Sequence, residues 1–320
     1  MPYGTVRPRQ PRSSHIARRV DPPQVIILDR TLNDDWGNAT MIEHVDVWLR
    51  EIAEAVTRLN QLGALEGASG NISLFLPVET PGLKEYLSFP LSDRRNIELP
   101  GQPVLPPGAL IITGTGRRLR EIAIRPLTVL CAISIADDGE ATLHRVPDLG
   151  VEPTSEIDSH IAIHAACLAG SSTPHAIIHA QPPKLTWLSH IPAYRNAPRL
   201  NRQLLRWQPE TVVTFSEGIG IVPFETPATP KHGIGTAWAM RLHPLVVWAK
   251  HGVVARSERG PLAAADLIDY AEAAAGYEVN DLLAGRPADG LSLAEMRAIA
   301  TRFGVPTTLL DRLPDDLLGR

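Results

Sequence analysis

The stretch from Pro153 to Gln181 constrains the fold of this chain most, because it joins a helix start to a buried strand that ends in polar side chains. Pro153-Thr154-Ser155-Glu156 is typical of the beginning of a helix, and the apolar run Ala176-Ile177-Ile178 leads directly to His179. Side chains two positions apart on a strand face the same way, so we expect His179 and Gln181 to reach one site. A carboxylate at a helix start, beside a histidine that ends a buried strand, is typical of metal-dependent enzymes.

A second apolar run, Leu245-Val246-Val247-Trp248, leads to His251. Two imidazoles with an open position are the arrangement of a catalytic divalent metal, usually zinc. If the two strand ends meet, Glu156 is placed as a general base or an outer metal ligand. The alternative is that each histidine is a core residue with satisfied hydrogen bonds. The residues alone favour neither interpretation.

Composition narrows the class of protein. The 320 residues are 44% apolar and 21% charged, which is ordinary for a soluble globular chain. A net charge of −4 gives no general attraction to nucleic acid or acidic membranes, and no run of about 18 apolar residues is present to span a bilayer. Cys131 and Cys167 lie in apolar surroundings without motif spacing, which indicates a reducing compartment. We therefore expect a cytoplasmic protein with no nucleic-acid or membrane partner.

The first 38 residues are predicted to form a basic extension rich in proline and arginine, separate from a domain over residues 39–320. Residues 1–20 hold five arginines and no acidic residue. We expect a disordered tail, with a targeting peptide or an anion-binding arm as the alternatives. Residues 25–28 are expected to form a short strand. Strand-like and helical segments then alternate without a clear linker after Pro107, which predicts one α/β domain.

Two glycine-containing turns are suited to a phosphate group. Gly67-Ala68-Ser69-Gly70-Asn71 comes directly before an alternating strand, and Gly114-Thr115-Gly116-Arg117-Arg118 follows an apolar one. Free backbone amides, a hydroxyl and guanidinium groups are the donors that phosphate oxygens accept from. For the first turn, a plain connection between a helix and a strand is an equal alternative.

Further elements are predicted from periodicity and turn residues. We expect a helix over residues 42–59, an irregular or hairpin-like segment over 77–107, and a hairpin whose strands meet at Asp138-Gly139. Residues 210–215 and 219–223 are predicted strands, residues 263–283 a long helix, and the end from Pro306 is expected to be loosely ordered. The helix over residues 155–168 carries His160 and His164 on the face of Glu156. We expect a polar flank there, with a metal site on that face as the alternative.

Five segments together resemble the class II aldolase and adducin-head family. They are Pro153-Thr154-Ser155-Glu156, Ile177-Ile178-His179, Ile111-Ile112-Thr113-Gly114-Thr115-Gly116, Gly70-Asn71-Ile72-Ser73 and Lys250-His251-Gly252-Val253. Residues 210–215, residues 218–224 and the ending Arg302-Phe303-Gly304-Val305 are similar to the rhamnulose-1-phosphate aldolase branch. The resemblance covers roughly residues 40–310.

The resemblance implies a three-layer αβα fold with a central, mostly antiparallel sheet, assembled as a homotetramer. It implies a metal-dependent lyase that cleaves a ketose 1-phosphate, such as rhamnulose 1-phosphate, to dihydroxyacetone phosphate and an aldehyde through a metal-stabilised enediolate. Zn²⁺ or another divalent metal would be held by His179, His251 and Gln181, and the implied catalytic residues are Glu156 and Glu210. The implied substrate and phosphate contacts are Asn71, Thr115, Gly116, Thr154 and Ser155.

This chain departs from the family pattern at three positions. Gln181 stands where the family has the second histidine of His-x-His, Ala68 replaces an asparagine, and Lys184 stands where a small or neutral polar residue is usual. An amide oxygen is a weaker zinc ligand than imidazole, and a nearby cation opposes metal binding. The alternatives are therefore a non-catalytic relative used for assembly or ligand binding, and an enzyme whose Lys184 forms a Schiff base. Epimerase or decarboxylase chemistry also occurs in the family, and no motif specifies the aldehyde.

Overall fold

The computed structural model describes residues 44–99, 105–169, 171, 173–285 and 288–316. The expected N-terminal extension, residues 1–38, and the expected strand at residues 25–28 lie outside them. None of the described helices is both long enough and apolar enough to cross a bilayer.

A mixed sheet of nine strands runs through the described residues. The strands are β1 (Asn71–Pro77), β2 (Asp93–Ile97), β3 (Gly108–Thr113), β4 (Leu130–Ile135), β5 (Ala141–Arg145), β6 (His175–Ala180), β7 (Gly220–Val222), β8 (Leu245–Trp248) and β9 (Gly252–Ser257). Their order across the sheet is β2-β5-β4-β3-β1-β6-β9-β8-β7. Neighbouring strands are antiparallel except β7 and β8, which are parallel. The sheet is therefore mostly antiparallel, as expected.

Helices cover both faces of this sheet. They are α1 (Val45–Gln61), α2 (Leu83–Ser88), α3 (Ile157–Leu168), α4 (Pro183–Leu188), α5 (Ala197–Leu205), α6 (Pro209–Thr214), α7 (Pro230–Met240), α8 (Pro261–Ala284) and α9 (Leu293–Phe303). On one face, Ile178 of β6 packs in the main core with α1 and α8, whereas Ile177 packs on the other face with α3 and α7. Because both faces of β6 are covered, its apolar run is continuous rather than alternating. This agrees with the expected three-layer αβα arrangement.

The predicted hairpin at Asp138-Gly139 is confirmed. β4 and β5 pair antiparallel, from Ala132 opposite His144 to Ile135 opposite Ala141. In the turn, the Asp138 carboxylate accepts a hydrogen bond of 3.0 Å from the Glu140 amide. Such a side-chain bond to the main chain two residues on fixes the reversal locally.

The strand predicted at residues 210–215 is wrong, because this segment forms α6. The β-branched run from Thr211 to Thr214 favours a strand by propensity, but Pro209 occupies the first helical turn, where proline is well tolerated. Val212 and Phe215 lie three residues apart and are both buried in the main core. Tertiary burial of one helical face therefore outweighs the local preference.

Two further expectations need correction. The segment 77–107 is not a local hairpin, because it contains α2, and its strand β2 pairs with β5 far along the chain. The end of the chain from Pro306 is not loosely ordered over its described residues. Leu310 and Leu313 are buried there, and both belong to the main core.

Candidate metal centre

Three side chains from separate elements converge at one end of the sheet. Glu156 precedes α3, His179 lies near the end of β6, and His251 lies in the turn between β8 and β9. One Glu156 oxygen is 3.8 Å from His179 Nε2, and the other is 3.9 Å from His251 Nε2. Their candidate ligand atoms all lie within 4.8 Å of one another. The meeting of the two strand ends with Glu156, on which the metal interpretation depends, is therefore observed.

The two imidazoles have the protonation state that a metal requires. His179 Nδ1–H donates to the Val253 carbonyl over 2.9 Å, which leaves the lone pair of Nε2 facing Glu156. Burial lowers the pKa of His179 to about 4, and burial together with the neighbouring His179 lowers the pKa of His251 to about 4. Both rings are thus neutral at pH 7. Two neutral imidazoles and a carboxylate fit a divalent cation of the zinc type.

Glu156 is held by a hydrogen bond from Asn71. The Asn71 amide Nδ2–H donates to Glu156 Oε2 over 2.7 Å, and the Glu156 side chain is almost wholly buried. Asn71 lies opposite His179 in the pairing of β1 with β6. The sheet register therefore places the carboxylate and the imidazole beside each other.

Behind Asn71 runs a chain of buried side chains, which we call the buried histidine network. Its members are Asn71, Ser73, His160, His164 and His175. His160 bonds to Asn71 Oδ1 through Nε2, and its Nδ1 lies 2.6 Å from Ser73 Oγ. Ser73 Oγ lies 2.8 Å from His164 Nε2, and His164 Nδ1 lies 2.8 Å from His175 Nδ1.

The connectivity assigns a single direction to every proton in this network. Asn71 donates to Glu156, so its Oδ1 accepts from His160 Nε2–H. Ser73 then donates to His160 Nδ1 and accepts from His164 Nε2–H, and His164 Nδ1 accepts from His175. All donors point toward Glu156. The network therefore fixes the Asn71 amide in the orientation that holds the carboxylate as an acceptor.

The histidines of this network are neutral in the folded protein. Burial lowers the pKa of His160 and of His175 to about 3, and that of His164 well below its ordinary value. The predicted polar flank at His160 and His164 is therefore wrong, because α3 lies between the sheet and α7 and both rings are buried. Neither ring belongs to the Glu156–His179–His251 cluster. Their role is to orient Asn71.

Gln181 lies beside the cluster. Its backbone amide donates to the Ala64 carbonyl over 2.9 Å, and its side chain lines a cavity of about 430 Å³. Trp187, Lys250 and His251 line the same cavity. The structure thus places Gln181 at the edge of the site, next to His251.

Four of the five predicted substrate residues occupy two neighbouring loops, and the fifth, Asn71, begins β1. A bridge between Gly114 and Pro153 joins the loop of Thr115 and Gly116 to that of Thr154 and Ser155. The side chains of Thr115 and Ser155 are exposed, whereas Thr154 is buried and its Oγ1 accepts from the Glu156 amide over 3.4 Å. Contact of these loops with a phosphate stays a prediction.

Glu210 and Lys184 lie apart from the three clustered side chains. Glu210 is exposed in the first turn of α6, and the described metal cluster does not include it. The Lys184 ammonium is half exposed and lies 3.3 Å from the buried Glu272 carboxylate. A carboxylate therefore faces the charge of Lys184.

His232 is a residue of this region that sequence reasoning missed. It lies in the first turn of α7 and is 1% exposed, and the centroid of its ring lies 4.2 Å from that of the Trp248 ring. Burial lowers its pKa, and the Glu156 carboxylate opposes that shift. No motif surrounds His232, and only the packing of α7 against α3 brings it here.

Known proteins are similar to most of this chain. Residues 50–279 match the model of the family described as Class II Aldolase and Adducin N-terminal domain. Rhamnulose-1-phosphate aldolase of Yersinia pseudotuberculosis serotype IB (strain PB1/+) is 32% identical over 265 residues, covering 81% of this chain and 94% of the relative. Rhamnulose-1-phosphate aldolase of Yersinia pestis is likewise 32% identical over 265 residues, with the same coverage.

Solved structures are similar in fold. A sugar-phosphate aldolase from Thermotoga maritima superposes with a TM-score of 0.64 at 26% identity, covering 76% of this chain and 98% of the other. YgbL from Klebsiella pneumoniae superposes with a TM-score of 0.56 at 20% identity, covering 80% of this chain and 99% of the other. The second likeness concerns the fold alone.

Proposed function

We propose a metal-dependent aldolase reaction for this chain, which belongs to the family of class II aldolases and adducin N-terminal domains. The substrate that we propose is a ketose 1-phosphate such as rhamnulose 1-phosphate, and the products are dihydroxyacetone phosphate and an aldehyde. The observation that carries the proposal is the convergence of Glu156, His179 and His251 within 4.8 Å. Rhamnulose-1-phosphate aldolases at 32% identity support the substrate class.

The donor set suits Zn²⁺ or another divalent cation, with His179 and His251 as nitrogen ligands and Gln181 as the predicted third ligand. Such an ion would supply Lewis-acid polarisation of the substrate carbonyl. The protein holds His179 ready for this role through the Val253 carbonyl, which fixes the tautomer of the ring.

Glu156 is the proposed acid–base group. In the direction of synthesis, its carboxylate removes a proton from the carbon next to the carbonyl of dihydroxyacetone phosphate. In the direction of cleavage, the hydroxyl that becomes the aldehyde carbonyl releases a proton as the C–C bond breaks, and protonated Glu156 then gives a proton to the same carbon of the enediolate. The hydrogen bond from Asn71 holds the carboxylate oxygen that faces His179, and the other oxygen is directed toward His251.

Several finer assignments belong to the same proposal. Asn71, Thr115, Gly116, Thr154 and Ser155 are proposed to contact the substrate and its phosphate, and Glu210 is the proposed second acidic residue. A homotetramer and a cytoplasmic location, both expected from the sequence, stay proposals. A non-catalytic role is the second candidate, favoured by Gln181 in the place of an imidazole.

The proposal is tested by following cleavage of rhamnulose 1-phosphate and fuculose 1-phosphate through reduction of the dihydroxyacetone phosphate formed. The protein is assayed after loading with zinc, manganese or cobalt. We expect cleavage by the parent protein and none by His251→Ala. His243→Ala is the matched control, since His243 bonds to the Glu217 carbonyl and lies outside the cluster.

Undiminished cleavage by His251→Ala would show that the cluster does not carry the reaction. Absence of cleavage by the parent protein with every metal and both substrates would favour the non-catalytic role.

A further inference from the structure

We propose that His232 supplies the third imidazole nitrogen of the metal centre, in preference to the amide of Gln181. This inference rests on the proposed metal-dependent function and deepens it. Three observations support it: an unpaired buried nitrogen, the position of α7, and the spacing of three rings around Trp248.

The first observation concerns the hydrogen bonds of His232. Its side chain is 1% exposed, and its Nδ1 is buried without a hydrogen-bond partner among the described residues. A buried polar nitrogen left without a hydrogen-bond partner destabilises the folded protein. The neighbouring histidines of the buried network all use Nδ1 in a hydrogen bond. A bond to a metal would satisfy a nitrogen that the fold leaves unpaired.

The second observation concerns the position of α7. Gly233 lies so close to α3 that an added Cβ would be 3.2 Å from Ser159 Cα. This close approach holds the first turn of α7 against the first turn of α3, directly after Glu156. Thr236 Oγ1 donates to the His232 carbonyl over 2.8 Å and accepts from Trp248 Nε1 over 2.9 Å. Both His232 and Trp248 therefore bond to the Thr236 hydroxyl, which fixes their relative position.

The third observation concerns the spacing of the rings. The imidazoles of His179, His232 and His251 lie 4.5, 4.2 and 5.2 Å from the Trp248 ring, measured between centroids. The His179 and His251 centroids are 4.7 Å apart, and those of His232 and His251 are 6.3 Å apart. Two imidazoles on one tetrahedral zinc have centroids about 5 Å apart. The first pair already meets this spacing, whereas the His232–His251 pair is longer by about 1 Å. His232 lies outside the 4.8 Å cluster of the other three ligand atoms, so its ring would have to move toward His251 to bind the same ion.

Gln181 competes for the same position with a neutral amide oxygen, which is a weaker zinc donor than imidazole.

The test compares zinc affinity in three variants, using a chromophoric chelator as the competitor. We expect His232→Asn to weaken zinc binding by about 100-fold or more, beyond the 10–100-fold typical of groups that only orient a ligand. Gln181→Ala should change the affinity by less than about threefold, since it removes no imidazole. His232→Asn combined with Gln181→His should regain the affinity, because an imidazole is restored on β6's side of the site.

A measurement on the parent protein avoids dependence on the folding of any variant. Pulsed electron paramagnetic resonance of the Cu²⁺-loaded protein counts the imidazoles bound to the metal. We expect three, and a count of two would overturn the proposal.

The remaining outcomes separate this inference from the proposed function. Loss of zinc in Gln181→Ala but not in His232→Asn would assign the third position to the amide and overturn the role of His232, while cleavage activity would stand. Parent protein that binds no metal and cleaves no ketose 1-phosphate would overturn both.

Discussion

The Ser73 hydroxyl connects two histidines of the buried histidine network, so removing this hydroxyl gives a direct test of the hydrogen-bond directions. Its hydroxyl is fully buried between His160 Nδ1, at 2.6 Å, and His164 Nε2, at 2.8 Å. Ser73→Ala removes the donor for one ring and the acceptor for the other. Each unpaired nitrogen costs about 1–3 kcal/mol, so we expect a loss of about 3 kcal/mol in the free energy of unfolding.

The assay is urea unfolding at fixed protein concentration, read as a lower midpoint with an unchanged slope. Ser134→Ala is a matched control, because Ser134 Oγ makes a single bond of 2.8 Å to His144 Nε2 and is only partly buried. That variant should lose about 1 kcal/mol, the value of one ordinary hydrogen bond. Equal losses in the two variants would refute the reasoning that Ser73 joins two rings.

Two further outcomes are expected. The histidines of the buried network are neutral when folded, with pKa values of about 3 for His160 and His175, whereas unfolded histidine protonates near pH 6.5. Their contribution to stability is therefore complete above about pH 6.5 and falls below it by up to about 1.4 kcal/mol per pH unit for each ring. Urea midpoints between pH 7.5 and 5.5 measure this, and a midpoint that rises on acidification would contradict it. Lys184→Met should keep cleavage within about threefold, because the half-exposed ammonium pairs with Glu272 and such pairs contribute little. Borohydride trapping of a substrate adduct on the parent protein, lost in this variant, would instead support a Schiff base.

Most of the strands, and the residues of the metal cluster, could be identified in the sequence because they depend on short-range pattern. The apolar run of β6 is buried on both faces, and its last polar residues fall where the strand ends. Glu156, His179 and His251 each stand at the boundary of an element, so their meeting follows once the strands are neighbours. Periodicity carries the strand pattern without knowledge of the packing, whereas the metal interpretation of the three residues also depended on the family resemblance.

The failures share a physical cause, which is burial decided by distant elements. The sequence of α6 predicts a strand because its β-branched residues favour one locally. The burial of Val212 in the main core, which favours the helix, is not visible in the local sequence. His160 and His164 were predicted to lie on an exposed flank because no residue near them in sequence indicates that α7 packs on α3. His232 has no motif, and its place beside His251 results from the contact of Gly233 with Ser159.

The pairing of β1 with β6 explains why the polar residues of the site lie on one face of the sheet. Asn71 lies opposite His179, and Phe75 lies opposite His175, so Asn71, Ser73, His175 and His179 alternate onto the face that α3 and α7 cover. Ile72, Leu74 and Ile178 alternate onto the other face, where they build the main core with α1 and α8. A shift of this register by one residue would exchange the two faces and separate Glu156 from both Asn71 and His179. The apolar residues that bury the opposite face therefore also specify the site, because they hold the one register in which its polar residues meet.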